Sequence, residues 1–386
     1  MSGPLAGVRV LDLTSVILGP LATQILGDMG ADVIKVESVE GDVMRHVAPA
    51  RGPGMGAIFL NLNRNKRSVV LDLKDELDSR RVRGLLAWAD VLVHSMRPQA
   101  MRRLGLAYEE LAQRYPRLIY CAAYGFSDRG PYGALPAYDD IIQAACGMAF
   151  LQSGSRDPEY VNTVLADKTV GLTAVYAISM ALFERERSGR GQAIEVPMFE
   201  TMISFLFPEH LAGRTFEPAL GGAGYARVLA PFRKPYGTAD GHIGLLPYTT
   251  AQWRRFFELA GRADMLDDPR VNDPLERSRC IGELYALVSE ITPTRSTSAW
   301  LEVLRAADIP AMPVNSLDAL LEDAHVRAVN AIRMVEHPSE GQLRTLGIPV
   351  RFARTPGSIR RPAPRLGEHT AEVLAQLECA DQLARV

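Results

Sequence analysis

The sequence predicts an α/β protein with a parallel β-sheet in a large domain and a second, smaller domain. Short runs rich in valine, isoleucine and leucine alternate with helical patterns through the first half of the chain, which is typical of a parallel sheet covered on both faces. The chain has 386 residues, more than the ~250–300 that one hydrophobic core usually serves. After about residue 210 the alternation gives way to a glycine- and proline-rich segment at 214–234 and then to mostly helical patterns.

The predicted strands follow one another along the first 200 residues. Each is a short apolar or β-branched run, and together they cover 8–13, 32–37, 68–73, 91–93, 118–123 and 194–197. Helices are predicted at 20–29 and 77–88, from about Asp167 to the residue before Gly189, and at 199–211. In such a sheet, ligands bind in the loops that follow the carboxyl ends of the strands.

The second half of the chain has a different pattern. Asp240 and Gly241 form a turn signal between two short strands. Helices are predicted at 252–259, 277–291, 300–307 and 317–322, and a last helix at 370–377 follows a proline- and arginine-rich tail. These elements are consistent with a smaller α+β domain.

Composition and charge exclude several kinds of partner. The net charge of −2 gives no bulk attraction to nucleic acid or to an anionic membrane, so we expect neither as a partner. The apolar stretch at 173–183 is shorter than the ~20 residues that span a bilayer. The four cysteines are far apart and form no CxxC pair, which favours a cytoplasmic location over a disulfide framework or a metal site.

Common cofactor motifs are absent from the sequence. There is no GxGxxG after the first strand, no P-loop, no HExxH and no GxSxG. Basic residues nevertheless follow two predicted strands: Lys74 comes after the third, and Arg97, Arg102 and Arg103 come after the fourth. At this edge they suit phosphate groups, with solvated surface charge as the alternative interpretation.

Asp167 stands at the start of the long predicted helix and has two interpretations. It can be a helix-start charge that the helix dipole favours by up to ~1 kcal/mol, or a carboxylate nucleophile at the mouth of a pocket. With an ordinary pKa of ~3.9, its carboxylate is expected to be ionised at neutral pH and to need no general base. The unpaired N–H groups of the first helical turn are expected to stabilise an oxyanion.

Ordered sequence blocks resemble the class III CoA-transferases, the CaiB/BaiF family that contains formyl-CoA transferase. The blocks lie at 4–14, 19–20, 26–37, 65–68, 138–139, 167, 189–192 and 366–370. The resemblance implies a Rossmann-like doubly wound sheet in a large domain of residues 1–220 and 330–386, a small domain at 221–329, and an interlocked homodimer. The long linkers predicted at 214–234 and 335–365 are compatible with interlocking.

The resemblance also implies a reaction in which CoA moves from an acyl-CoA thioester to a carboxylic acid. Asp167 is the implied nucleophile, through mixed anhydrides and an aspartyl-CoA thioester. CoA is a substrate in this reaction, and neither a permanently bound cofactor nor a metal is expected. The implied CoA contacts are Val16, Ile17, Leu71, Asp72, Leu73, Lys74, Ser95, Met96, Arg97, Arg103, Pro136, Ala137, Tyr138 and Asp139.

Departures from the family pattern bear on the acid substrate. Ile17 stands where formyl-CoA transferase has a glutamine, and Ser38 stands where it has an arginine, which disfavours oxalate and formate and favours a larger or less polar acid. Arg45, His46 and Lys168 are candidates to meet the second carboxylate of a dicarboxylic acid, with ordinary surface or structural charge as the alternative.

Two other functions remain open. Alpha-methylacyl-CoA racemases resemble the same family but move the α-proton with a His–Asp pair, and their histidine falls where this chain has Tyr138. Tyrosine, with a pKa of ~10, is a poor base at neutral pH, which favours the transferase. A non-catalytic CoA-binding protein would keep the basic loops but would not need Asp167.

Overall fold

The computed structural model describes residues 3–154 and 156–383. The predicted large domain also includes residues 1–2, 155 and 384–386, which lie outside the described residues. The chain divides into two compact units. One unit takes the described residues up to Leu206 and again from Val329 onward, and the other is Phe207–Ala328.

The first unit contains a six-stranded sheet in which every strand runs parallel to its neighbours. Its elements in chain order are β1 (Arg9–Leu13), α1 (Leu18–Asp28), β2 (Asp32–Glu37), α2 (Ala57–Leu62), β3 (Lys66–Val70), α3 (Glu76–Trp88), β4 (Val91–His94), α4 (Pro98–Arg103), α5 (Tyr108–Arg114), β5 (Ile119–Tyr124), α6 (Asp139–Ala145), α7 (Met148–Ser153), α8 (Leu165–Ser188) and β6 (Ala193–Pro197). The next helix, α9 (Met198–His210), belongs to this unit up to Leu206. The strand order β3-β2-β1-β4-β5-β6 is that of a doubly wound, Rossmann-like sheet. The predicted fold class is confirmed.

Successive side chains of these strands enter two different cores. Val10 and Val33 pack in a core with α1 and α8, whereas their neighbours Leu11 and Ile34 pack in a second core with α3. Because successive side chains of a strand point to opposite faces, a sheet covered on both sides needs apolar residues at consecutive positions. This requirement explains why the strands could be recognised as continuous apolar runs.

The second unit is mainly helical around a three-stranded sheet. Its elements are α10 (Ala226–Leu229), β7 (Tyr236–Gly237), β8 (His242–Leu245), α11 (Thr250–Leu259), α12 (Pro269–Asn272), α13 (Pro274–Arg279), α14 (Ile281–Ile291), α15 (Thr297–Ala306), β9 (Ala311–Pro313), α16 (Leu317–Glu322) and α17 (Ala324–Ala328). Its core is built on Trp253, Phe256 and Trp300, each fully buried. The single helix predicted at 277–291 is wrong, because the chain leaves helical geometry at Cys280 between α13 and α14.

The last segment returns to the first unit as β10 (Ile332–His337), β11 (Gly341–Leu346) and α18 (Thr370–Leu383). The two strands form an antiparallel ribbon at 332–346, most of which lies in the segment predicted as a linker at 335–365. Helix α18 packs on α3 and β3, with Val373 buried in the second core.

Helix α8 has 24 residues and is the one described helix long and apolar enough to cross a membrane, judged by length and composition. Of its most apolar window, 44% is buried in the protein. Core helices of soluble proteins meet the same criterion, and Ala166, Val170, Ala174 and Ile178 of this helix are fully buried against the sheet.

Candidate active site

A cavity of about 1280 Å³ lies at the carboxyl ends of β1, β2, β3 and β4. Its walls are formed by residues 13–15, 35–42, 71–76 and 95–96, together with parts of α3 and α4. The order of the strands reverses between β1 and β4, and ligands of doubly wound sheets bind at this point. The cavity is therefore the candidate ligand site of the first unit.

Three basic side chains of the cavity wall form no ion pair within the described residues. They are Lys74 after β3, Arg83 on α3 and Arg103 on α4. A fourth, Arg80, is paired with Glu76 at 2.7 Å. Because Lys and Arg bind phosphate oxygens through charge-assisted hydrogen bonds, these unpaired cations suit a ligand that carries several phosphates.

Two buried ion pairs lie close to the cavity, and Lys35 and Asp42 of the second pair belong to its lining. Lys66 lies 3.1 Å from Oδ2 of Asp12, Lys35 lies 3.0 Å from Oδ2 of Asp42, and all four side chains are inaccessible to solvent. Burial works against ionisation of Asp12, but Lys66 and Lys35 outweigh it and lower its pKa to about 2. Breaking a buried pair typically costs ~3–5 kcal/mol. The first pair therefore holds β3 against β1, and the second holds β2 to the segment that follows it.

The loop between β1 and α1 has a strained backbone. Val16 has a φ of 71°, in the left-handed region that a β-branched residue rarely adopts. Its N–H donates to Oδ1 of Asp42 at 3.1 Å, and the Lys35 ammonium donates to the carbonyl oxygen of Thr14 at 2.7 Å. The buried charges therefore hold this loop, which leads from the cavity to Ile17 at the start of α1.

Asp167 lies in the first turn of α8, which packs closely on the start of α1. One turn after Asp167, a Cβ atom added to Gly171 would lie 2.7 Å from the carbonyl oxygen of Leu18. The side chain of Asp167 is largely buried, since the residue is only 8% exposed. Within the described part of the chain its carboxylate accepts no hydrogen bond, whereas its N–H donates to Oδ1 of Asp139 at 2.8 Å.

These surroundings raise the pKa of Asp167 to about 7. Burial is the largest cause, and the negative charges of Asp139 and Asp140 on α6 add to it. The expectation from the sequence, an aspartate fully ionised at neutral pH, is therefore wrong. The ordinary pKa applies to a solvated carboxyl, and this one has lost most of its water and gained two acidic neighbours.

The predicted oxyanion donors are mostly engaged elsewhere. The N–H of Leu165 donates to the carbonyl oxygen of Thr163 at 2.8 Å, and that of Asp167 donates to Asp139. One of these contacts is local, and the other is a tertiary contact with α6 that the sequence pattern does not reveal.

The predicted CoA residues fall into two groups. Those that line the cavity are Leu71, Asp72, Leu73, Lys74, Ser95, Met96 and Arg103. The others lie outside its lining. Asp139 contacts Asp167, Tyr138 is the exposed residue that precedes α6, and Arg97 donates to the carbonyl oxygen of Ala134 at 2.9 Å. Pro136 and Ala137 precede Tyr138, and Val16 and Ile17 belong to the loop that extends from the cavity wall toward α8.

The three candidate cations for a second substrate carboxylate differ in availability. Arg45 is almost fully buried and donates to Oε1 of Glu37 at 2.7 Å, so it is not free to bind an acid. His46 and Lys168 are exposed, and the Lys168 ammonium donates to Oγ1 of Thr163 at 2.7 Å.

Folding also adds residues that the sequence did not single out. Arg80 and Arg83 reach the cavity from α3, and their spacing with Glu76 and Ser79 on one helix face is a signal by which they could have been found. No comparable signal marks Gln143 on α6, which is fully buried and donates to Oδ2 of Asp139 at 2.6 Å.

Known proteins of similar sequence and structure are CoA-transferases or members of the CAIB/BAIF family. The family model described as CoA-transferase family III matches residues 5–370. A succinate–glutarate CoA-transferase from Agrobacterium fabrum is 33% identical, with 99% of this chain and 97% of the relative covered. A formyl-CoA:oxalate CoA-transferase from Streptomyces avermitilis is 31% identical, with 100% and 98% covered. The crystal structure of a CAIB/BAIF family protein from Brucella suis superposes with a TM-score of 0.82 at 30% identity, covering 98% of this chain and all of that one.

Proposed function

The chain belongs to CoA-transferase family III, and we propose that it transfers CoA from an acyl-CoA to a carboxylic acid through covalent intermediates on Asp167. The family and the enzyme class predicted from the sequence are thereby confirmed. The covalent mechanism, the residues that bind CoA and the dimer are the parts that we propose.

The proposed reaction begins when a carboxylate oxygen of Asp167 attacks the carbonyl carbon of the acyl-CoA. The C–S bond breaks, CoA leaves as a thiolate, and a mixed aspartyl–acyl anhydride forms. The thiolate then attacks the aspartyl carbonyl carbon, which releases the donor acid as its carboxylate and leaves an aspartyl-CoA thioester. The acceptor carboxylate repeats both steps in reverse, so that acceptor-CoA leaves and Asp167 regains its charge.

The observation that carries this proposal is the environment of the Asp167 carboxylate. It is nearly buried, accepts no hydrogen bond within the described residues, and has a pKa raised to about 7 by burial and by Asp139 and Asp140. A structural aspartate at a helix start is normally solvated or paired, whereas a poorly solvated carboxylate is a stronger nucleophile.

The cavity supports a role in holding the nucleotide end of CoA. Lys74, Arg83 and Arg103 offer unpaired cations for its phosphates, and the strained loop at Val16 extends from the cavity toward α8. We propose that the pantetheine arm follows this loop, so that the thioester reaches Asp167. Binding energy from the distant nucleotide would then position the reacting carbonyl.

An apolar stripe on α8 supports the proposed homodimer. Leu172, Tyr176, Met180 and Phe183 recur along one face of the helix, and each is more than half exposed. Such a row of exposed large apolar side chains indicates a surface that a partner covers. Sedimentation should find dimers of the wild type and a shift toward monomers for Tyr176→Glu, and a wild-type monomer at micromolar concentration would contradict the dimer.

A matrix of acyl-CoA donors and acids, read by mass spectrometry, tests the transferase and identifies its acids. Succinate, glutarate, oxalate and longer monocarboxylic acids should be included. We expect Asp167→Ala to abolish transfer while CoA still binds, and the exposed Asp157→Asn to leave transfer unchanged. Full transfer by Asp167→Ala would refute the nucleophile, and α-proton exchange in D2O without transfer would favour a racemase.

A further inference from the structure

Helix α8 receives its N-terminal cap from a different helix. Val164, at the N-cap position, makes no side-chain cap. Instead the carboxylate of Asp139, which lies 28 residues earlier in the chain, accepts the N–H of Asp167 at 2.8 Å. An acidic acceptor at a helix start satisfies an otherwise unpaired donor and interacts favourably with the helix dipole. The backbone position of Asp167 therefore depends on Asp139.

Gln143, one turn later on α6, holds the Asp139 carboxylate in this position. Its Nε2 donates to Oδ2 of Asp139 at 2.6 Å and to the carbonyl oxygen of Thr163 at 3.2 Å. Its Oε1 accepts the N–H of Val161 at 2.9 Å. Gln143 thus connects Asp139 with the segment that leads into α8, and the residue is fully buried. A buried amide with this many partners defines one orientation of its neighbour.

The charges around Asp167 come mainly from α6. Asp139 and Asp140 are the negative groups that act on its carboxyl. The packed strand β5 carries no charged residue. Four other charged groups on α8 and on the elements packed against it have partners of their own: Lys168 with Thr163, Asp28 with Arg64, Glu195 with Arg129 and Arg185 with Asp90. The remaining charged residues of α8 are Glu184, Glu186 and Arg187, which lie in its last turns, more than four turns from Asp167.

We propose that Asp139 and Gln143 are positioning residues for the nucleophile: Asp139 fixes the first turn of α8 and repels the free Asp167 carboxylate, and Gln143 orients Asp139. This inference rests on the proposed function. The anhydride and the thioester of Asp167 are uncharged, so the repulsion by Asp139 ends when either forms. The arrangement thereby favours the covalent intermediates over the free carboxylate.

Titration of the Asp167 carboxyl by 13C NMR tests the role of Asp139 without any substrate. The protein is labelled with 13C at its aspartates, and the Asp167 signal is the one that disappears in Asp167→Asn. We expect Asp139→Asn to lower the midpoint by about one pH unit or more, as removal of a like charge within a few ångströms does. Asp140→Asn, an exposed neighbour of equal charge that does not contact the Asp167 N–H, should lower it by less. Equal midpoints for wild type and Asp139→Asn would overturn the proposal.

Gln143→Met tests the contact by which Gln143 orients Asp139. It can be measured even if Asp139→Asn does not fold. With the donor and acceptor acid found in the matrix, kcat should fall about tenfold, as expected when the buried hydrogen bond that orients Asp139 is lost, while KM for acyl-CoA stays unchanged. The exposed Gln152→Met should match the wild type. A kcat within twofold of the wild type would overturn the role of Gln143. Transfer that persists in Asp167→Ala would instead overturn the proposed function and leave the titration result intact.

Discussion

Asp167→Asn should stabilise the folded protein, and by an amount that depends on pH. The substitution keeps the size of the side chain and the N–H that donates to Asp139, but it removes the buried charge. The pKa of Asp167 is raised from 3.8 to about 7 in the folded protein. One pKa unit corresponds to ~1.4 kcal/mol, so ionised Asp167 destabilises the fold by on the order of 4 kcal/mol at high pH.

The direction in which stability changes with pH depends on whether the folded or the unfolded chain holds the Asp167 proton more tightly. Below about pH 4 both folded and unfolded chains carry it, and Asp167 does not affect stability. Between about pH 4 and 7 the unfolded chain releases the proton first, so wild-type stability falls as the pH rises. Above pH 7 the full penalty applies. The advantage of Asp167→Asn should therefore be on the order of 4 kcal/mol at pH 9 and less than half of that at pH 5.

The free energy of unfolding of the first unit alone can be measured by hydrogen exchange in urea. Mass spectrometry of peptides from β4 and β5 follows this exchange. Wild type, Asp167→Asn and the exposed control Asp157→Asn should be compared at pH 5, 7 and 9. The control should stay within ~0.5 kcal/mol of the wild type at each pH. An Asp167→Asn advantage that does not grow between pH 5 and 9 would refute the reasoning, because the carboxyl would then not be buried as an unpaired charge.

Three further predictions concern the site and its supports. Acyl transfer should accelerate as the pH rises through about 7, since only the deprotonated nucleophile attacks; a rate that is flat from pH 5 to 9 would contradict this. Lys66→Met should lower the free energy of unfolding by ~3–5 kcal/mol in urea denaturation, because it removes the ammonium that pairs with the fully buried Asp12 carboxylate. Arg103→Ala should raise KM for acyl-CoA about tenfold through a lost phosphate contact, with a smaller effect at high salt.

Four of the strands that were predicted correctly, β1, β2, β4 and β5, share one physical property. They are buried on both faces, so apolar residues occupy consecutive positions and the pattern is visible without any partner. Strand β3 was placed too late at 68–73 because Lys66 and Arg67 begin it. Both are buried through ion pairs with Asp12 and Asp32, which lie on other strands. The ribbon of β10 and β11 was missed because it lies in a segment whose proline- and arginine-rich part suggested a linker.

The sequence predicted the basic residues of the cavity and the candidate nucleophile, but not every residue that supports them. Lys74 and Arg103 could be placed at the cavity because the carboxyl ends of parallel strands share one edge of a sheet. Asp167 could be singled out because it begins a long helix and matches a family block. Gln143 could not, since its role depends on which helix packs beside which loop.

The sequence by itself determined the doubly wound sheet, the family and the identity of the candidate nucleophile, because apolar periodicity and ordered motifs are local properties of the chain. Only the tertiary structure decided the chemical state of that nucleophile. Asp139 is 28 residues from Asp167 in the chain and 2.8 Å from its N–H in the fold. Burial and this acidic neighbour move the pKa from its ordinary value to about 7. Desolvation and charge–charge repulsion depend on distances in space, which no spacing along the chain encodes.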